Sequence, residues 1–354
     1  MKNNINCIDL FCGAGGLSHG FEQAGYNVVA GIDSNKDAIK TFQLNHKDSK
    51  AILFDLSNKF DFNHPDLKAI KDTKVDIIIG GPPCQGFSIA GKRLEDDPRN
   101  ILYKSYMKFI DHYNPKVVLL ENVPTIMSLF KGAISQRIIS SFEKKGYSSN
   151  VRTLDSSLFG VPQKRRRTFF IFTKKDEYTW PDPTTEEKPL TTKDAISDLP
   201  KLNNSLGKDF SPYKSKPKNP YQELMRKDSD GIYNHISVNH TEKTKNIISL
   251  VPDGGNYKSL PKSLQTTRKV NIAWTRMNSK KPCFTIDAGH NHHFHYKENR
   301  VPTVRECARI QSFNDSFIFC GNKGSQYRQV GNAVPPILGK VLAESIKGII
   351  NDTI

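Results

Sequence analysis

The chain has 354 residues, with 52 Lys and Arg against 36 Asp and Glu, and a formal charge of +16. Its six cysteines (Cys7, Cys12, Cys84, Cys283, Cys307, Cys320) form no C-x-x-C pair, which argues against a zinc knuckle or a disulfide framework and for a reducing, cytoplasmic setting. No segment reads as a signal peptide or a membrane span, so a soluble protein is expected. The positive charge suits a polyanion, nucleic acid in the simplest case, or follows from a Lys-, Asn- and Ile-rich coding bias.

Residues 1–175 alternate short apolar runs with amphipathic segments, the pattern of a parallel sheet covered by helices. Strands are expected at 5–11, 27–32, 51–54, 75–79, 116–120, 151–154 and 168–173, and helices at 17–24, 36–45, 101–113 and 134–145. Gly25 and Gly146 stand where they can end the first and last of these helices. From 176 to about 298 the chain is rich in Pro, Lys, Asn, Ser and Thr with weak periodicity, a loop-rich domain or large insertion. Regular patterning returns with helices at 303–313 and 336–349, the second opening on a proline.

Three features carry chemistry. Gly80-Gly81-Pro82-Pro83-Cys84-Gln85-Gly86-Phe87-Ser88 follows the apolar run Val75-Asp76-Ile77-Ile78-Ile79, so a pinned loop holds a thiol just past a buried strand. Asp9-Leu10-Phe11-Cys12-Gly13-Ala14-Gly15-Gly16 joins the first strand to the first helix, but its spacing is not that of a dinucleotide pyrophosphate site. Asp33 ends the second strand, placed for ribose hydroxyls, and Asp55 ends the third, placed for an adenine amine. An adenosine-containing cofactor without a pyrophosphate is expected. The plainer readings are an inert buried thiol and acids that cap helices or start turns.

With Glu121-Asn122-Val123, Gln163-Lys164-Arg165-Arg166-Arg167, Thr303-Val304-Arg305-Glu306-Cys307-Ala308-Arg309-Ile310-Gln311-Ser312-Phe313 and Gln329-Val330-Gly331-Asn332-Ala333-Val334-Pro335-Pro336, these segments make the chain resemble the cytosine-C5 DNA methyltransferases of the bacterial restriction-modification type. The resemblance implies an α/β fold: a doubly wound, mostly parallel, Rossmann-like sheet of the class I S-adenosylmethionine-dependent kind. It implies a catalytic domain over 1–175 plus 325–354, and a smaller loop-rich target-recognition domain with its bracing helix over 176–324. It implies S-adenosyl-L-methionine as donor and a flipped-out cytosine of duplex DNA as acceptor.

Cys84 falls on the family nucleophile, which adds to C6 and makes C5 enamine-like. Glu121 falls on the acid that relieves charge at N3, with a raised pKa expected in a dry pocket. Arg165 falls on the arginine contacting the pyrimidine O2, with Arg167 in support. The donor contacts implied are Phe11, Gly13, Ala14, Gly15, Asp33, Ser34, Asp55, Leu56, Pro83, Leu102, Asn332 and Ala333. DNA contacts are expected from Gln85, Ser88, Arg99 and Gln163, with Arg268 and Arg276 as base readers. Cys12, where the family has Ala or Ser, reads as packing, and the cluster His290, His292, His293 and His295 as backbone or phosphate contacts; no metal is expected. The expected chain is a cytoplasmic monomer, with a cognate restriction endonuclease acting separately. The rival readings are an RNA (tRNA) cytosine-C5 methyltransferase and a non-catalytic regulator.

Overall fold

A computed structural model describes residues 5–83, 101–174, 178–202, 205–265, 274–287 and 293–351. The chain falls into two compact units: Met1–Asp155 with Arg166–Asp182 and Leu338–Ile354, and Ser156–Arg165 with Pro183–Ile337. Residues 156–165 and 325–337, taken with the catalytic half in the sequence reading, fall in the second unit.

The first unit runs β1 (Asn6–Leu10), α1 (Gly16–Gln23), β2 (Asn27–Asp33), α2 (Lys36–Asn45), β3 (Lys50–Leu53), α3 (Pro65–Lys68), β4 (Ile77–Gly80), α4 (Ile101–Tyr113), β5 (Val117–Asn122), α5 (Ala133–Glu143), β6 (Ser148–Asp155) and β7 (Arg166–Thr173). The sheet order is β3-β2-β1-β4-β5-β7-β6. The first five strands are parallel, and β7 runs antiparallel to both β5 and β6. The doubly wound, mostly parallel sheet is therefore as expected. The winding reverses between β1 and β4, and in open sheets ligands settle in the crevice beyond the strand ends at such a reversal.

Helices cover the sheet, so the inner strands are apolar on both faces. Ile77, Ile78 and Ile79 of β4 and Val117 to Leu120 of β5 are fully buried. Ile8, Leu10, Ile78, Val118, Leu120, Phe109, Phe142 and Phe172 share one core, each contributing about 1.5–3 kcal/mol on burial. Asn35 caps α2 by accepting from the Ala38 amide at 3.0 Å, and Gly25 takes a φ of 84° beyond α1, as its position suggests. The C-terminal helix Pro336–Asn351 packs on α1: Tyr26 Oη donates to the Ala343 carbonyl at 2.8 Å and Lys347 Nζ to that of Ala24 at 2.9 Å. The late strands are longer than expected, and β7 starts early enough to include Arg166 and Arg167.

The second unit holds short elements: α6 (Thr192–Ile196), β8 (Phe210–Ser211), α7 (Pro220–Arg226), β9 (Ile232–Tyr233), α8 (Glu242–Ser249), α9 (Lys262–Gln265), β10 (Thr275–Arg276), β11 (His293–Phe294), α10 (Val304–Ile310) and α11 (Lys323–Asn332). Its hub is α10, which opens on a Thr303–Glu306 capping box and is buried along its whole length. From it, Arg309 pairs with Asp315 at 2.6 Å and Asp198 at 3.2 Å, while Arg305 donates to the carbonyls of Tyr233, Asn314 and Phe317. The polar α11 carries the Gln-Val-Gly-Asn motif on its last turns, and apolar periodicity does not announce it.

Candidate active site

Register places the candidate residues of the first unit along one edge. Leu10 lies beside Ile32 and Gly80, Asp33 beside Leu53, and Gly80 beside Leu120. The residues that follow, Phe11 to Gly15, Asp33, Asp55, Gly81 to Pro83 and Glu121, therefore all emerge at the carboxyl ends of parallel strands. Cys84, Gln85, Ser88 and Arg99 lie outside the described residues.

Glu121 is tightly framed. A Cβ on Gly81 would lie 2.8 Å from Glu121 Oε2, so the carboxylate occupies the space that a side chain there would need. Arg167 Nε lies 2.9 Å from Glu121 Oε1, with both side chains mostly buried. The antiparallel register explains the pairing. Phe169 stands opposite Glu121, and Arg167, two residues earlier, projects from the same face of β7. Next in β5, Asn122 Nδ2 donates to the Pro82 carbonyl at 3.0 Å and Asn122 Oδ1 accepts from the Val123 amide at 2.9 Å. The proline turn leading to Cys84 is thus tied to the strand that carries Glu121.

Of the two arginines expected at the cytosine, only one pairs with Glu121 among the described contacts. Arg167 meets Glu121, whereas Arg165 belongs to the second unit, where it is fully buried and donates Nη1 to the Ile286 carbonyl at 3.3 Å.

The glycine turn runs through left-handed backbone: φ is 60° at Phe11, 54° at Gly13 and 90° at Gly15. The space over Gly13 is open, with nothing within 4 Å of a Cβ built there, whereas one on Gly15 would fall 2.2 Å from His46 Nε2. Gly13 N–H donates to Asp33 Oδ2 at 2.9 Å, and Asn35 N–H to Asp33 Oδ1 at 2.8 Å. Burial pushes the Asp33 carboxyl up from its ordinary value, against these amide bonds. Beneath the turn, burial pushes Asp9 up to about 7 although Ser18 Oγ donates to it at 2.6 Å. Asp55 is exposed and accepts from the Ser57 amide at 2.8 Å; Leu56 and Ala14 are buried, Ser34 and Pro83 exposed, and Leu102 packs against the core. Carboxylates converge here and residues 9–16 contain no Lys or Arg, which suits a neutral or cationic ligand better than a pyrophosphate. Asn332 and Ala333 end α11 in the second unit, where the Ala333 carbonyl accepts from Gln311 Nε2 at 2.7 Å.

Two expected DNA contacts are engaged internally. Gln163 is fully buried: its Oε1 accepts from the Ile286 amide at 2.9 Å and its Nε2 donates to Gln311 Oε1 and the Ile310 carbonyl. Arg276 is 4% exposed and spends all five N–H groups inside its unit, on the carbonyls of Val251, Ile248, His295 and Glu298 and on Asn299 Oδ1. Arg276, expected as a base reader, instead gathers backbone carbonyls within its own unit, two of them at the end of α8. Arg268, His290 and His292 lie outside the described residues. His293 Nε2 lies 3.5 Å from Asp287 Oδ2. His295, Glu298 and Glu306 approach one another closely enough to hold a cation, but Arg300 already pairs with both carboxylates, at 2.7 Å to Glu306 and 3.1 Å to Glu298. Burial lowers His295 to about 4 and Arg300 holds Glu306 well below the carboxylate range, despite its burial.

Neither the tie made by Asn122 nor the place of His46 is legible in the sequence. His46 is buried, stacks on Phe42 with ring centroids 4.2 Å apart, and binds Glu22 Oε2 through Nδ1 at 2.8 Å. Burial acts to raise Glu22, but the bonds from His19 and His46 outweigh it and hold that carboxyl at about 2. Only the tight Gly15 turn hints at such a neighbour.

Residues 5–348 match the family model of the C-5 cytosine-specific DNA methylases. The Type II methyltransferase M.DdeI of Desulfomicrobium norvegicum is 36% identical over 99% of this chain and 91% of its own length. M1.HphI of Haemophilus parahaemolyticus, also named a Type II methyltransferase, is 37% identical over 97% and 87%. A putative prophage-encoded DNA modification methyltransferase of E. coli superposes with a TM-score of 0.81 at 28% identity, covering 98% of this chain and all of that one. The Dnmt2 methyltransferase of S. pombe shares the fold, with a TM-score of 0.60 at 17% identity over 99% of each chain.

Proposed function

This chain belongs to the C-5 cytosine-specific DNA methylase family and is a DNA cytosine-C5 methyltransferase, and from that premise we propose its donor, its mechanism and its setting. The donor is S-adenosylmethionine, the acceptor is one cytosine of a specific duplex sequence, and the setting is the modification half of a restriction-modification pair. The protein acts as a cytoplasmic monomer, apart from its endonuclease. Among the described residues no helix is long and apolar enough to cross a membrane.

The glycine turn fits this donor. Open space over Gly13 admits a ligand against the backbone, Asp33 keeps lone pairs for ribose hydroxyls, and the exposed Asp55 can accept from an adenine amine. A sulfonium is a cation, and the turn offers it acids without a competing base. When bound, the donor supplies an electrophilic methyl group.

The remaining steps belong to the protein. Cys84 forms the S–C6 bond as a thiolate, and the electron pair displaced from the ring makes C5 nucleophilic. Glu121 shares a proton with N3 and so relieves the charge that C6 addition creates. Arg167 fixes the Glu121 carboxylate, and we assign it the contact to the pyrimidine O2. After methyl transfer a base removes the C5 proton, the C6–S bond breaks, and the thiolate is restored. We assign the second unit to target recognition, with base reading by residues other than Arg276 and Gln163.

The observation that carries this reading is the Arg167–Glu121 pair over Gly81, on a strand tied through Asn122 to the turn that enters Cys84. Transfer of labelled methyl groups from S-adenosylmethionine to unmethylated plasmid DNA tests it, and labelling of tRNA alone would overturn it. Cys84→Ser should still bind the donor but lose methyl transfer. Duplex DNA carrying 5-fluorocytosine should trap a covalent adduct with the wild type, because fluorine cannot leave as the C5 proton does.

A further inference from the structure

Within the first unit, β5 leads into two single turns, Pro124–Met127 and Leu129–Gly132, before α5 begins. Three successive residues of the second turn have positive φ: Phe130 at 51°, Lys131 at 57° and Gly132 at 85°. Glycine adopts this backbone freely, but a phenylalanine and a lysine pay for their Cβ atoms there. Hydrogen bonds from Lys131 N–H to the Ser128 carbonyl, 3.1 Å, and from Ser135 Oγ to the Gly132 carbonyl, 2.9 Å, hold the turn in place.

The strained turn does not bury its aromatic ring. Phe130 is 46% exposed, Met127 is 39% exposed beside it, and Lys131 is exposed, while the neighbouring Leu129 packs against the core. The unit thus accepts a costly backbone and an aromatic side chain in water together, and strain of that kind gathers where a ligand is met.

Position and charge indicate the ligand. The turn follows the carboxyl end of β5, the edge that carries Glu121 and Arg167. Between Glu121 and Glu143 the only charged residues are Lys131 and Arg137, and Arg166, the first residue of β7, is exposed at the same edge. An exposed ring on a segment, residues 122–142, whose two charged residues are both cations matches the sugars, base faces and phosphates of a nucleic acid.

We propose that Phe130 and Lys131 contact the DNA strand flanking the target cytosine. The ring packs on sugar and base faces left accessible when the target base is displaced, and the ammonium meets a phosphate. The proposal rests on duplex DNA being the substrate.

The test uses the full chain and an unmethylated plasmid. Phe130→Ala should raise KM for the plasmid about tenfold, the scale of one lost aromatic–base contact. KM for the donor and Tm should stay unchanged. Phe130→Asn, which tolerates left-handed backbone, should weaken DNA equally without lowering Tm. Lys131→Ala should lower the slope of log affinity against log salt by about 0.9, one phosphate contact. Affinity of Phe130→Ala for the plasmid within twofold of the wild type would overturn the proposal, as would a wild-type dimer that this variant dissociates. Binding by anisotropy separates the two readings. Wild type that binds the duplex without methylating it defeats the functional reading alone, and equal binding by Phe130→Ala defeats this one alone.

Discussion

The chemistry proposed for Glu121 depends on two neighbours that constrain it in different ways. Gly81 leaves room for one carboxylate oxygen, and Arg167 holds the other at 2.9 Å. Arg167→Ala should therefore lower kcat at least about a hundredfold, the scale of one lost electrostatic contact to the transition state, while Tm moves by only a few degrees. Arg165→Ala should do the reverse, lowering Tm and leaving kcat within about fivefold when assayed well below melting, because this buried side chain donates to its own unit's backbone. Matched kcat and Tm measurements on the two variants check the assignment, and equal kcat losses would reject it. The distinction was not legible in Gln163-Lys164-Arg165-Arg166-Arg167, since a run of arginines shows no register. Strand pairing chose Arg167 by setting Phe169 opposite Glu121.

Between β1 and α1, the buried Asp9 accepts from Ser18 beneath the glycine turn and is pushed up to about 7. An acid raised in the folded state binds its proton more tightly there than in the unfolded chain. Its contribution is complete below the unfolded value near 4 and is lost as pH rises toward 7, by up to ~4 kcal/mol. Asp9→Asn mimics the protonated form, so its stability relative to wild type should improve between pH 4 and pH 7 in denaturant titrations; a constant difference would show that Asp9 does not titrate there. The same β1–α1 joint shows what spacing conveys. The turn and the Asp33 strand end were readable from glycines and apolar runs, but the His46–Glu22 pair behind Gly15 was not, because α2 and α1 supply its two halves 24 residues apart. In the second unit, Arg276 joins the end of α8 to the β10–β11 pair. Arg276→Ala leaves several carbonyls without donors and should cost about 3–5 kcal/mol of that unit's stability, with the methylated sequence unchanged in the molecules that remain folded. A shifted methylation site in sequenced DNA would restore it as a base reader.

For the molecule as a whole, the charge of +16 bears on affinity more than on fold. A protein that meets six to ten phosphates loses about three to five decades of affinity between 50 and 200 mM salt, and binding to plasmid DNA should follow a slope in that range. A flat salt profile would assign the charge to composition alone. The two units also divide the work of stability differently. The first buries a wide apolar sheet, and the second, with strands of two residues, combines a smaller apolar cluster around Ile248, Val251 and Phe294 with a buried ionic hub around Arg309, Asp198 and Asp315.

Taken alone, the order of apolar runs and turns determined the doubly wound sheet, and the ordered motifs determined the family, because both depend on spacing along the chain. The positions of the glycine turn, the proline turn and Glu121 were legible for the same reason: each lies at or directly after the end of a strand, and parallel strands send their ends to one edge. Tertiary structure alone decided which arginine meets Glu121, that Asn122 ties the proline turn, that Arg276 and Gln163 face inward, and that Phe130 is held outward on strained backbone. Those outcomes depend on cross-strand register and on how each polar side chain finds its partners, and both are set by residues distant in sequence.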